Sequence, residues 1–115
     1  VVGNTENVAA VTNAAFESFG FRVGGETMTP PHCTDENSVF VETLLSAYET
    51  VTGSKGKCLS IGGGTYVHNI DGGVAFGCAM PDTDYRIHGA DEFMPVGDMI
   101  TSAKIFALAI IRLCS

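Results

Sequence analysis

Basic residues are scarce: six Lys and Arg stand against thirteen Asp and Glu, a formal charge of -7. A nucleic acid would meet net repulsion with no basic stripe to offset it, so no nucleic-acid partner is expected. Long apolar runs are missing as well. The most apolar stretch, AKIFALAIIRLC at 103–114, falls short of the roughly 20 residues that span a bilayer and carries Lys104 and Arg112, which leaves no membrane role. There is no Cys-x-x-Cys pair: Cys33, Cys58, Cys78 and Cys114 are scattered. Free thiols in a reducing cytoplasm are the expectation, with disulfides left open by the even count. An initiator methionine, a signal-like opening, a lipidation motif, a solenoid repeat and a low-complexity tract are all lacking. The chain reads as a piece cut from a longer cytoplasmic protein.

What is present is a folding sequence. At 115 residues with 45% hydrophobic and 17% charged side chains, it has room for one modest core and lies far from the composition of disordered chains. NTENVAAVTNAAFESFG predicts a helix capped by Asn4 or Thr5, with Val8, Val11, Ala15 and Phe19 on one face and Gly20 as its stop. The opening VV and the alternating FRVGGETM predict strands on either side. Pro30 and Pro31 then break the pattern and mark a boundary. Beyond it, Asp35 or Asn37 can cap SVFVETLLSAYETVTG, with Val41, Leu44, Leu45, Tyr48 and Val51 facing inward and Gly53 ending the helix. KCLSIG and GVAFGCAM read as short buried strands. A last helix starts near Pro95, with Asp98 beside the positive end of its dipole, and runs to about Leu113. Its nearly all-apolar circumference needs covering on more than one side. The fold class expected is α/β.

The glycine-rich segment SIGGGTYVHNIDGGVAFG, 60–77, has no lysine for a phosphate loop and lacks the Gly-x-Gly-x-x-Gly spacing of a dinucleotide site. On local sequence it is a tight turn or part of a site floor. Downstream, His88 lies in a polar loop with Asp84 before it and Asp91 and Glu92 after it; imidazole ligates zinc, and neighbouring carboxylates can fix its tautomer. His32, His68 and His88 are the histidine candidates for such a metal, yet they form no recognised ligand cluster.

The order of TLLSAYETVTG, IGGGTYVHNIDGGVAFGCAMPDTDYRIHGADEFM and the AKIFALAI helix resembles the C-terminal end of PepV-type bacterial dipeptidases. These belong to the zinc exopeptidases of metallopeptidase family twenty, with the carnosinases, aminoacylases and glutamate carboxypeptidases. The resemblance is specific from about Pro30 to Leu113. It implies that residues 1–29 end a lid domain of dimerising type, as a strand, helix and strand, and that 30–115 form the C-terminal part of the catalytic domain. It implies His88 as a zinc ligand and Gly63, Gly64 and Thr65 as the loop that contacts the substrate's backbone or carboxylate end. The family's other zinc ligands, bridging aspartate and general-base glutamate belong to earlier parts of its chains, so no catalytic residue is assigned here. The parent enzyme is then expected to bind two zinc ions and hydrolyse short peptides, while the isolated piece is inactive, binds zinc poorly and self-associates as a homo-oligomer or swapped dimer. An acylated amino acid or a longer peptide is the alternative substrate. His32 and His68 carry no role from the resemblance.

Overall fold

The computed structural model describes residues 5–27, 29–77 and 79–115, without the side chains of Thr5 and Glu6. The predicted strand at VV, the cap at Asn4 and the thiol of Cys78 lie outside them. The described residues form three α-helices, α1 (Thr5–Ser18), α2 (Val39–Thr52) and α3 (Val96–Cys114), and one 3-10 turn, Tyr66–Asn69.

The expected α/β architecture is not found, because the described residues contain no strand. FRVGGETM, KCLSIG and GVAFGCAM were expected as strands, and their described residues hold no regular structure. The physical reason is that a strand is a property of two chains of backbone. Alternating or apolar side chains suit a sheet, but the amides and carbonyls need a ladder partner, and none lies beside these segments among the described residues.

The helices stand where the spacing places them. The chain divides into two compact units, one taking in the residues up to Thr34 together with Gly63–Gly73, the other Asp35–Gly62 and Val74–Ser115.

In the second unit α2 packs on α3. Ser38, not Asp35 or Asn37, caps α2: its hydroxyl accepts from the Val41 amide at 3.3 Å. Asp35 acts one turn earlier, where its carboxylate takes the Asn37 amide at 2.9 Å and shapes the approach. Gly53 ends the helix in the left-handed region at φ 71°, its amide donating to Glu49 O at 2.9 Å, a conformation costly for any residue with a Cβ. The core forms from Leu44, Ala47 and Ala109, with Val74, Phe76 and Leu108 packed on it. Phe76 meets Phe106 edge to face at 5.5 Å. Ala47 is wholly buried. Arg112 fastens the pair at its rim, donating to Ser46 Oγ at 2.9 Å and Thr50 Oγ1 at 3.1 Å.

Only one side of α3 is covered among the described residues. Ser102, Ile105 and Ala109 are buried, whereas Val96, Met99, Ile100, Ile110 and Ile111 are more than half exposed. No helix of the described residues is long and apolar enough to cross a membrane.

In the first unit α1 buries Ala9, while Val8, Val11 and Phe19, which share one face at helical spacing, stand in the open. Its end is folded back by Gly20, at φ 84°, and by Phe21, whose amide donates to Phe16 O at 3.2 Å and whose ring meets Phe16 edge on at 5.9 Å. Asn13 hydrogen-bonds the Glu26 carboxylate and holds the following segment to the helix.

Candidate functional site: a histidine loop and a glycine-floored cleft

His88 sits in the loop that feeds α3. This loop is wound tightly: Asp82, Arg86, His88 and Asp91 all adopt positive φ, 53° to 66°. Such conformations cost non-glycine residues of order 1–3 kcal/mol and persist where the surroundings over-determine them. Here the surroundings are identifiable. Tyr85 is buried, its hydroxyl donates to Asp98 Oδ2 at 2.7 Å and accepts from the Met80 amide at 2.8 Å. Its carbonyl accepts from the Phe93 amide at 3.3 Å. The Asp98 carboxylate, expected to serve the α3 dipole, is thereby also the anchor of the loop.

Between those anchors the carboxylates are occupied locally. Asp84 Oδ1 takes the Arg86 amide at 2.9 Å, Asp91 pairs with Arg86 at 3.7 Å, and Glu92 Oε2 takes the His88 amide at 3.4 Å. None of them bonds the His88 ring. Both ring nitrogens of this exposed histidine are unengaged among the described residues.

The other two histidines are engaged, and both lie in the first unit. His32 Nε2 donates to Gly73 O at 2.6 Å, a carbonyl that also accepts from Thr34 Oγ1 at 2.6 Å. His68 Nδ1 lies 3.1 Å from the Thr65 amide, which donates to it, and 3.0 Å from Thr65 O. The two rings are 6.0 Å apart. The predicted substrate-contact residues Gly63, Gly64 and Thr65 come together with Thr29, His68 and Asn69 around an open cleft of about 650 Å³. Gly63 turns the loop at φ 98°, and space for a Cβ is open there, so the backbone conformation and not crowding calls for glycine.

The predicted residues therefore fall into two groups: Gly63, Gly64 and Thr65 in the first unit, His88 in the second. Tyr85 escaped the sequence reading, and His68, named there only as a candidate metal ligand without a role from the resemblance, lines the cleft. The signal for His68 was the Thr-x-x-His spacing, which mimics the capping-box interval and returns a side chain to the amide three residues earlier. Tyr85 had no local signal, since its partners lie five and thirteen residues away.

Zinc takes three or four protein donors. No group of three or more His, Cys, Asp or Glu side chains is placed to hold a metal among the described residues. An imidazole with both nitrogens unengaged suits a single ligand, but this donor set does not hold zinc by itself.

No family model matches the chain. No solved structure matches it at a significant level. Curated relatives do. Proteins named "Putative dipeptidase" from Staphylococcus aureus strains USA300, NCTC 8325 and COL are each 36% identical to it over 98 residues, 85% of this chain and 21% of theirs. The chain thus spans about a fifth of the length of the curated relatives it matches, and over most of its own length it is related to proteins named as dipeptidases.

Proposed function

We propose that the chain is the C-terminal part of a zinc-dependent dipeptidase that hydrolyses the peptide bond of short peptides. The 98-residue match to proteins named as dipeptidases carries this reading. In it His88 supplies one zinc ligand, and Gly63, Gly64 and Thr65 contact the substrate's backbone or carboxylate end. The chemistry zinc supplies in such hydrolases is a water acidified enough to attack a carbonyl. The other ligands and the proton acceptor belong to residues outside these 115, so the peptidase activity is that of the longer protein and this chain alone is inactive. What the chain contributes is a ligand held ready on a strained, anchored loop, and backbone amides that approach a substrate closely because glycine carries no Cβ.

The test is hydrolysis by the full-length protein of a panel of dipeptides, tripeptides and N-acyl amino acids, with and without zinc. Turnover of dipeptides that is lost on chelation and restored by zinc supports the proposal. Turnover of N-acyl amino acids or tripeptides alone would replace the substrate class, and indifference to chelation would remove the metal.

A second reading concerns the chain by itself. The exposed apolar side chains of α3 favour self-association of the isolated piece into a homo-oligomer or swapped dimer, since burial of such surface gains about 25 cal/mol per Å².

A further inference from the structure

His68 stands apart from the other histidines by having Nδ1 bonded within its own turn while the residue lines a cleft. Its Nδ1 is within reach of a donor, the Thr65 amide at 3.1 Å, and of an acceptor, the Thr65 carbonyl at 3.0 Å. The hydrogen-bond accounting chooses between them. The Thr65 carbonyl already accepts from the His68 amide at 3.3 Å, whereas the Thr65 amide has no other acceptor among the described residues. Taking the amide proton therefore satisfies a half-buried group that has no other partner among the described residues. Nδ1 must then offer its lone pair, which puts the ring proton on Nε2. If the ring becomes fully protonated, Nδ1–H turns to the Thr65 carbonyl and Nε2–H remains. In either state Nε2 is a donor, which makes it unsuitable as a metal ligand or as a base.

The cleft that His68 lines matches such a donor. The whole chain carries a charge of -7, yet among the described residues no acidic side chain lines this cleft, and Thr29, Thr65 and Asn69 add further polar groups to its wall. Nε2 has no partner among the described residues. We infer that His68 is a substrate-binding residue, its Nε2–H donating to a carboxylate or carbonyl oxygen of a short peptide seated on the Gly63–Thr65 loop. The inference rests on the dipeptidase reading for the identity of that ligand, and on the Thr65 contact for the direction of the hydrogen bond.

Two measurements test it separately. Long-range nitrogen–proton correlation spectra of the histidine side chains in the full-length protein, recorded with and without glycylglycine, report the tautomer and the contact. The Nε2–H form of His68, with a shift at Nε2 on adding the dipeptide, is expected. An Nδ1–H form, or a shift confined to His32 or His88, overturns the inference whatever the enzyme does. In the full-length protein His68→Ala is expected to raise KM for a dipeptide about tenfold or more with kcat within about twofold, the loss fitting one hydrogen bond to a charged group. His68→Gln, which keeps an N–H at a similar reach, should recover most of it. An active enzyme whose KM ignores both substitutions refutes the role of His68 while the dipeptidase reading stands. A wild-type protein that turns over no dipeptide refutes that reading, and the spectra then decide the donor role alone.

Discussion

Tyr85 holds the His88 loop by one hydroxyl that both donates and accepts. Removing it should therefore leave two half-buried groups, the Asp98 carboxylate and the Met80 amide, without this partner. Tyr85→Phe keeps the ring and its 6.3 Å contact with Phe93, so the loss is confined to hydrogen bonding. A destabilisation of about 1.5–3 kcal/mol is expected, the range for a bond to a charged group, read as a lower urea midpoint with an unchanged slope. A change below about 0.5 kcal/mol would mean that the loop is held by something else. At this scale the sequence disclosed histidines but not their states. His32, His68 and His88 differ in which ring nitrogens are bonded, and those bonds run to backbone groups that side-chain chemistry does not announce. The Thr-x-x-His interval was readable for His68. The 41-residue separation between His32 and Gly73 was not.

The α2–α3 pair carries the core of the second unit, and its energetics can be tested by truncation. Leu44 is 6% exposed and sits in the core with Ala47 and Ala109. Leu44→Ala should cost about 2–5 kcal/mol through lost burial and the cavity left behind. Arg112→Ala, at the exposed rim, should cost less than about 1 kcal/mol. Thermal or urea unfolding followed by circular dichroism orders the two; equal losses would show that the contact is polar rather than apolar. Helices were legible because each carries its own hydrogen bonds, stop signal and periodicity in one stretch, as Gly53 and the Val41–Leu44 spacing show, although the cap of α2 fell on Ser38 and not on Asp35 or Asn37. The α/β expectation failed because FRVGGETM, KCLSIG and GVAFGCAM could be read only for side-chain pattern, while strand identity depends on a partner elsewhere. For α1, periodicity identified Val8 and Val11 as one face of a helix that forms, but it could not say what surface covers that face.

For the whole chain, exposed apolar surface and net charge oppose each other. Phe19, Leu59, Val96, Ile110 and Ile111 are each more than 60% exposed, a load that favours association, while the charge of -7 repels like chains at low salt. Raising salt from low to about 0.5 M should therefore increase the weight-average mass of the isolated chain in light scattering, as screening removes repulsion and leaves apolar burial. A monomer at high concentration in both conditions would count against the self-association proposed above.

The proposed zinc-ligand role of His88 in a dipeptidase is tested by His88→Ala in the full-length protein. Zinc per chain by elemental analysis and dipeptide turnover are measured beside wild type and beside His32→Ala, whose ring is bonded to the Gly73 carbonyl. The account predicts that His88→Ala loses occupancy of one zinc and orders of magnitude in turnover. The fold should survive, because the ring is exposed and unbonded among the described residues, and His32→Ala should keep its zinc. Full zinc content and near-normal turnover in His88→Ala would contradict it.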